Sequence, residues 1–340
     1  MKKWLVFLCA LLFSLSVILS VINLFINQDT EKKALIKQEE KEEKQIIEYK
    51  ANQTIRVRMC KTNEVIAMDI NDYLRGVVAS EMPAAYDIEA LKAQAIVART
   101  YTYRKMLEDA EGPDADICDD FNHCQAFYNK EKLFSIWTNR GFDDATKIEY
   151  WDKVNEAVVS TQNQVITYNG EYIKAFFHAS SPIKTENIDQ IWGGVKIPYL
   201  VSVDNVECQD YSNRNSEVIV TFSDLEKQIC EKIDCNFKLS NIDNLKEKIK
   251  INSYTTSGRV RDIEVGDLIV SAEKLRTLFG LKSTQFELSI VDEGILFKVT
   301  GYGHGIGMSQ VGANYLADNG KSCLDIIKYY YTGVEVITIE

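Results

Sequence analysis

Apolar and polar positions change their pattern several times along the chain, and the first change is the sharpest. Trp4–Ile26 is a stretch of 23 residues without a charge, and Lys2 and Lys3 precede it. At a rise of about 1.5 Å per residue, a helix of this length spans a bilayer core of roughly 30 Å. The basic pair favours a cytoplasmic tail of residues 1–3, and no small-residue cleavage site follows. The sequence predicts a retained transmembrane anchor over residues 4–26.

The next segment is strongly polar. Residues 27–51 are rich in Glu, Lys and Gln, and Glu40 and Lys44 form a pair four residues apart that supports a helix. Their few apolar residues are too sparse for a coiled-coil seam. We interpret this segment as a charged helical spacer and predict a single folded domain over residues 52–340.

Beyond the spacer, alternating runs and helical periods predict a domain of class α+β. Three hairpins or turns and three helices stand out. The predicted hairpins join Thr54–Met59 to Val65–Met68, Gln164–Tyr168 to Tyr172–Phe177 through Asn169-Gly170, and Ile249–Thr255 to Val260–Val265. The predicted helices are Asn71–Ser80, a helix capped by Asp87 that reaches Leu107, and Leu324–Tyr331 with a capping box of Ser322 and Asp325.

Composition narrows the class of protein. The chain has 340 residues, of which 46% are apolar and 26% charged, enough for one large domain or two small ones. Its net charge of −11 argues against a nucleic-acid partner, which requires a basic surface.

Cysteine and histidine cluster at one place. Cys118, His123 and Cys124 lie within seven residues and offer three of the four ligands that zinc prefers. A disulfide between the two cysteines is the alternative, and both remain open; Asp114, Asp116 or a distant residue is a candidate fourth ligand. Cys230 and Cys235 could pair in the same way. Seven cysteines outside the anchor leave at least one thiol unpaired within the chain.

A lone carboxylate precedes the most apolar predicted helix. Glu81 lies among Ala, Met and Pro residues. It is either an ordinary exposed loop carboxylate or a buried one, and both alternatives stay open. Desolvation would raise its carboxyl pKa toward neutrality, whereas Lys92 or Arg99 close to it would lower the pKa. The helix carries Lys92 and Arg99 on one stripe with Tyr103. They either form structural ion pairs or face a cleft; we favour the cleft, because aligned cations on such a helix are unusual.

Two further segments carry candidate chemistry. Gly301–Gln310 alternates glycines around His304 but has neither the phosphate-loop nor the dinucleotide spacing, so it indicates close backbone approach. His178 and Ser180 end a predicted strand. They suggest a serine hydrolase only weakly, because no Gly-x-Ser-x-Gly elbow frames the serine.

Several motifs together resemble the stage II sporulation protein D family. The motifs are Ser80-Glu81-Met82-Pro83, Leu91–Tyr101, Cys124-Gln125-Ala126-Phe127, Phe177-His178, Thr185-Glu186, Trp192-Gly193-Gly194 and Gly303–Ala313. The resemblance implies a membrane-anchored lytic transglycosylase that cuts peptidoglycan glycan strands during forespore engulfment. It further implies strands stripped of stem peptides by a partner amidase, stage II sporulation protein P, and a location in the mother-cell membrane facing the forespore.

The same resemblance implies roles for individual residues. Glu81 would be the catalytic acid and base, and Cys118, His123 and Cys124 would hold a structural zinc ion. Residues of the substrate cleft would be Lys92, Arg99, His178, Ser180, Ser181, Thr185, His304 and Gln310. The chain departs from the family pattern at Pro182, where a Ser-Gly-Gly stretch is usual, and at Tyr302, where Trp is common. Pro182 removes a backbone donor and puts substrate contacts by that loop in doubt.

One carboxyl suffices for transglycosylation, because the C6 hydroxyl of the sugar attacks its own anomeric carbon. Two alternatives stay open. The domain could be a non-catalytic glycan-binding module that stimulates an amidase, or a zinc hydrolase that uses the Cys/His cluster.

Overall fold

The structure is a computed structural model that describes residues 54–108, 111–204, 206, 215–241 and 244–340. The predicted anchor, the predicted spacer, Cys9 and Cys208 lie outside these residues. Within the described ranges, no helix combines the length and apolar character needed to cross a bilayer.

The fold begins with a β-hairpin and two helices. β1 (Thr54–Met59) and β2 (Glu64–Asp69) pair antiparallel, and α1 (Ile70–Glu81) follows directly. The side chain of Asp87 accepts a hydrogen bond from a backbone N–H of the first turn and so caps α2 (Ile88–Leu107). The middle of α2 is completely buried, because this central helix packs against helices on several sides.

Two more helices flank this pair. β3 (Ile117–Cys118) pairs in parallel with β1 and leads to α3 (Lys130–Asn139) and α4 (Asp144–Ser160). Asn129 and Asp143 cap the two helices with their side chains. α4 packs against both α1 and α2, so the chain around Glu81 rests on a helical scaffold.

A three-stranded sheet follows, and its turn agrees with the sequence. β4 (Gln164–Tyr168) lies between β5 (Glu171–Tyr172) and β14 (Glu335–Thr338), and both pairings are antiparallel. Asn169 and Gly170 both have positive φ angles, of 51° and 82°, as a two-residue hairpin turn requires.

Residues 215–300 form a strand-rich part that we call the inserted region. It contains two three-stranded antiparallel sheets, of order β10-β9-β8 and β11-β12-β7, and a hydrophobic core of its own. Its elements are β7 (Asn215–Thr221), α6 (Phe222–Lys232), a 3-10 helix (Leu239–Asn241), α7 (Leu245–Lys248), β8 (Ile249–Tyr254), β9 (Val260–Val265), β10 (Leu268–Ser271), α8 (Ala272–Phe279), β11 (Phe286–Val291) and β12 (Gly294–Thr300).

After the inserted region the chain returns to the helical scaffold. β13 (Met308–Ser309) pairs in parallel with β6 (Phe177–His178), and this pairing joins the two motifs that carry histidines. α9 (Gln310–Asp318) and α10 (Cys323–Tyr330) then pack against α2. The short helix α5 (Ile188–Ile191) precedes the inserted region.

The α+β class is confirmed, and so are most predicted elements. Both helices around Glu81, the first and third hairpins, and the capping box of Ser322 and Asp325 are present. The single strand predicted over Tyr172–Phe177 is wrong, because it divides between β5 and β6. The reason lies at Phe176, whose carbonyl accepts hydrogen bonds from the N–H of Met308 and the hydroxyl of Tyr331.

Candidate active site

Glu81 is the last residue of α1, and two groups hold its carboxyl. Its Oε1 accepts a hydrogen bond of 2.6 Å from the backbone N–H of Ala126, and the side-chain amide of Gln310 is a second donor. Burial raises the pKa of Glu81 to about 7, although both hydrogen bonds act in the opposite direction. The negative end of the α1 dipole also opposes a charge there. Glu81 can therefore hold a proton at neutral pH and release it.

The loop that donates to Glu81 also contains a cluster of metal-binding side chains. Ligand atoms of Glu111, Cys118, His123 and Cys124 all lie within 4.8 Å of one another. His123 Nδ1 lies 2.7 Å from Glu111 Oε1, 3.4 Å from Cys118 Sγ and 3.6 Å from Cys124 Sγ. The cluster ends two residues before Ala126, so it fixes the segment that reaches Glu81.

Three of these separations suit a four-coordinate zinc ion. Zinc bonds of about 2.0–2.3 Å in a tetrahedron place the ligand atoms roughly 3.3–3.8 Å apart. The two sulfur–nitrogen distances and the 3.3 Å from Cys124 Sγ to Glu111 Oε1 lie in this range. The 2.7 Å between His123 Nδ1 and Glu111 Oε1 is shorter, so these two atoms would have to move apart to bind one ion. The fourth group in the cluster is Glu111, which is not among the candidates named from the sequence. Asp116, one of those candidates, instead pairs with Arg56 at 2.6 Å.

The described cysteines are free thiols. Cys118 and Cys124 both belong to the cluster, and neither is joined to the other in a disulfide. Cys230 and Cys235 are free as well, and the Cys230 thiol donates to the carbonyl of Cys235 at 3.2 Å. The predicted disulfides between Cys118 and Cys124 and between Cys230 and Cys235 are therefore not present in this structure.

The alternating glycines allow close approach of the backbone, as predicted. At Gly307, with φ +70°, a Cβ atom would lie 2.0 Å from the carbonyl oxygen of Phe176. At Gly305, with φ +85°, it would lie 2.7 Å from the guanidinium carbon of Arg259. Any side chain at these positions would therefore separate the loop from the surfaces that support it.

Arg259 reaches this loop from the inserted region. It is 0% exposed, and its guanidinium donates to Ser181 Oγ at 2.7 Å and to the carbonyl of Gly303 at 3.4 Å. Ser181 in turn donates to His178 Nε2 at 2.5 Å, and His178 Nδ1 donates to the carbonyl of Ile306. The series fixes His178 in one neutral tautomer.

Burial makes His178 and Ser181 structural. Burial, His304 and Arg259 lower the pKa of His178 well below its ordinary value, so the ring is neutral. Ser181 is 0% exposed. A nucleophilic serine must meet its substrate, so the Ser–His contact does not support serine hydrolysis.

His304 lies nearer the surface but is also neutral. Burial, followed by the charges of Arg276 and Arg259, lowers the pKa of His304 to about 3. Its Nδ1 accepts a hydrogen bond of 3.0 Å from the N–H of Ile306. The ring packs between Phe176 and Trp192, with centroid distances of 6.4 and 5.1 Å. His304 therefore shapes the site without exchanging protons at neutral pH.

Neither predicted cleft cation contacts Glu81. Arg99 is 1% exposed and donates to the carbonyls of Val158, Thr161 and Gln164, which end α4 and begin β4. Burial lowers its pKa to about 10, so it remains charged. This burial contradicts the expectation of a cleft-facing Arg99. Lys92 is partly exposed and pairs with Glu89 at 2.8 Å.

The predicted hydroxyl residues are also internal. Ser180 is 5% exposed and exchanges two backbone hydrogen bonds with Tyr302. Thr185 is 1% exposed, and its hydroxyl accepts from the N–H of Val203. Thr185 and Ser181 are thus internal in this structure, and their role as substrate-binding residues stays a prediction. Pro182 packs beside Gly301, so the departure from the family pattern is part of the loop packing.

Gln310 remains at the site, and its neighbour was missed. It is 5% exposed, donates to Glu81 and lies 3.4 Å from the side-chain oxygen of Gln94. Gln94 is a fully buried amide in the middle of α2. A polar residue at an apolar helix position was the available signal for Gln94, whereas nothing in the sequence pointed to Arg259.

The chain is similar to several known proteins. The family described as Stage II sporulation protein, SpoIID, matches residues 59–168. Stage II sporulation protein D of Bacillus subtilis (strain 168) is 34% identical over 78% of this chain and 74% of its own length. The protein of the same name from Bacillus amyloliquefaciens is 32% identical over 83% of this chain and 78% of its own length. The amidase enhancer of Bacillus subtilis (strain 168) is 26% identical over 76% of this chain and 39% of its own length.

Proposed function

This chain belongs to the stage II sporulation protein D family, and on that premise we propose that it is a lytic transglycosylase of peptidoglycan. The family relation ties it to sporulation and to the cell wall. The finer activity depends on a single observation. Glu81 is a partly buried carboxyl with a pKa of about 7, held in place by two donors at the end of a helix.

The proposed reaction needs one group that gives a proton and takes it back. Protonated Glu81 donates its hydrogen to the glycosidic oxygen as the bond from that oxygen to the anomeric carbon breaks. The C6 hydroxyl oxygen of the same sugar then bonds to the anomeric carbon, and its proton passes to Glu81. The products are a new hydroxyl end and a 1,6-anhydro sugar, and Glu81 returns to its starting state.

The surroundings of Glu81 support this reaction over hydrolysis. Its two partners, Ala126 and Gln310, carry no second carboxylate. Most glycoside hydrolases need one, either as a nucleophile or to activate water. His304, with a pKa of about 3, cannot serve as a base of useful strength near pH 7. In the proposed reaction the C6 hydroxyl of the sugar is the nucleophile, and it already lies near the anomeric carbon of the same ring. A second carboxylate is therefore not required.

We propose a structural role for zinc at the nearby cluster. Glu111, Cys118, His123 and Cys124 would be its ligands, and a site with two thiolates and no open position is typical of structural zinc. When bound, the ion would cross-link the loop electrostatically. The chain itself then holds the Ala126 N–H at 2.6 Å from Glu81.

The cellular setting is also a proposal. The apolar run Trp4–Ile26 would anchor the chain in the mother-cell membrane, with the catalytic domain outside the cytoplasm and facing the forespore. Its substrate would be glycan strands without stem peptides, which stage II sporulation protein P would supply as the partner amidase.

The test is cleavage of stripped glycan strands by the full chain, with the products identified by mass. Anhydro ends are expected from the parent chain. In Glu81→Gln we expect a loss of about 100-fold or more, because proton transfer from a positioned acid contributes that much. Gln310→Ala is the companion variant, and it should reduce turnover while leaving the type of product unchanged. Reducing ends in place of anhydro ends would contradict the proposal.

The likeness to the amidase enhancer of Bacillus subtilis favours one other function. On that alternative the chain binds glycan and stimulates an amidase without cutting strands. Glu81→Gln would then keep full stimulation of the amidase, and the parent chain would give no anhydro ends.

A further inference from the structure

A groove next to the histidine loop is lined by two separate parts of the fold. Its volume is about 280 Å³, near the lower limit of pockets that bind small ligands. Trp192 and the end of α5 form one side. The start of β9 and of α8, from the inserted region, form the other side. The groove is thus large enough for one small ring and is open to solvent.

Trp192 presents a fixed aromatic surface to this groove. It is 49% exposed, although its ring is held by two others. Phe176 meets it edge-on at a centroid distance of 4.9 Å, and His304 lies at 5.1 Å. An exposed aromatic ring that is held from behind loses little conformational freedom when a ligand stacks on it.

The other lining groups are mainly hydrogen-bond acceptors. Asp189, Asp262 and Glu273 contribute three carboxylates, and Arg261 contributes one guanidinium. Arg276 pairs with Glu273 at 3.0 Å, so three acids face two bases and one net negative charge remains. Within the described residues, Glu273 Oε1 is buried and has no hydrogen-bond partner. That oxygen is closed to a ligand, so the carboxylates open to hydroxyl or amide groups are those of Asp189 and Asp262.

These features point to an uncharged sugar. An apolar ring face suits the aromatic surface, and hydroxyl and acetamido groups suit the carboxylates. Strands of peptidoglycan alternate an N-acetylated sugar without charge and one that carries a lactyl carboxylate when its peptide is gone. The negative groove repels the second and accepts the first.

We propose that this groove is a subsite for the uncharged N-acetylated sugar of a glycan strand, with Trp192 as its stacking surface. The proposal deepens the proposed function and rests on it for the substrate. A connected row of side chains relates the two sites. Phe176 contacts both Trp192 and Tyr101. The Tyr101 hydroxyl donates to the carbonyl of His123, which belongs to the Cys/His/Glu cluster and lies three residues before Ala126.

Binding should be measured apart from cleavage, with the full chain carrying Glu81→Gln. The probe is the uncharged β-1,4 tetramer of N-acetylglucosamine, and calorimetry measures its dissociation constant. In this background, Trp192→Ala should weaken binding about tenfold or more, as loss of a central aromatic contact does at other interfaces. Trp192→Tyr should recover part of the loss. Tyr254→Ala is the matched control, because Tyr254 is 59% exposed on β8 but does not line the groove, and it should bind like its parent.

A second arm tests the role of charge. Asp189→Asn should improve binding of stripped strands, which carry lactyl carboxylates, more than it improves binding of the neutral tetramer. Unchanged tetramer binding by Trp192→Ala would overturn the proposal, as would preferential binding of stripped strands by the parent groove. A different result would contradict the proposed function itself: Glu81→Gln would cleave glycan strands as fast as the parent chain.

Discussion

The two ends of the candidate site come from regions that handle charge in opposite ways. The helical scaffold ends α1 at Glu81, where burial leaves a carboxyl able to gain and lose a proton near pH 7. The inserted region sends Arg259, which is fully buried, behind the glycine loop, where it holds neutral groups in place. The candidate acid and the residue that supports the glycine loop therefore come from separate parts of the chain. Substitution of Arg259 should therefore lower the stability of the fold, whereas substitution of Glu81 should abolish cleavage.

The largest effect is expected at Arg259. Arg259→Ala removes a buried side chain and its hydrogen bonds to Ser181 and Gly303. It should lower the free energy of unfolding by about 2–5 kcal/mol, measured by urea denaturation. Arg261→Ala, at a side chain that is 53% exposed on the same strand, should change it by less than about 0.5 kcal/mol. Equal effects of the two variants would remove Arg259 from the support of the loop.

Metal removal should come next. A chelator should lower the free energy of unfolding by about 4 kcal/mol for zinc bound at a concentration a thousand times its dissociation constant. Cleavage should fall in parallel, because the loop of Ala126 loses its anchor. Zinc should restore both and magnesium neither, since thiolate ligands prefer the softer ion. A preparation with no bound zinc that melts unchanged in chelator would contradict the proposed metal.

The pH dependence of stability tests Glu81 separately from activity. Its pKa is about 7 in the folded chain against 4.5 as the ordinary value. Between these pH values the folded chain keeps a proton that the unfolded chain releases, so stability falls as pH rises. Glu81→Gln lacks this effect. Between pH 4.5 and 7, the free energy of unfolding of Glu81→Gln should rise by about 3 kcal/mol relative to that of the parent chain. Denaturation at a series of pH values measures this difference. A constant difference across that range would mean that the carboxyl is ordinary.

The smallest effect is expected at Lys92. Its pair with Glu89 is partly exposed, so Lys92→Ala should cost about 0.2–1 kcal/mol. Glu89→Ala should cost more, because Glu89 also accepts from the N–H of Cys323 at 2.8 Å. A large loss of cleavage by Lys92→Ala, with stability unchanged, would restore the cleft role that the resemblance implied.

Features that depend on contacts between residues close in the chain could be predicted from the sequence, and features that depend on distant residues could not. Asp87, Asn169 and Ser322 act on neighbours a few residues away, and the elements that they start or turn were predicted correctly. Glu81 was found because its apolar neighbours adjoin it in the sequence. Arg99 was misread, because the carbonyls that it caps are about 60 residues away. Only the tertiary fold shows that a cation on an apolar helix is already satisfied.

The metal cluster and Arg259 show the same limit. Three ligands lie within seven residues and were visible in the sequence, but Glu111 lies outside that run. Arg259 has no local signal at all, since its partner Ser181 is 78 residues earlier.

The contact of Gln310 with Gln94 joins residues 216 positions apart. Chains are made from the N-terminus, so α1 and its carboxyl exist long before Gln310 does. Until Gln310 has been made, the carboxyl has at most one of the two donors that hold it in the folded chain, the N–H of Ala126. The arrangement of both donors around Glu81 is therefore completed only after the chain has been made as far as α9.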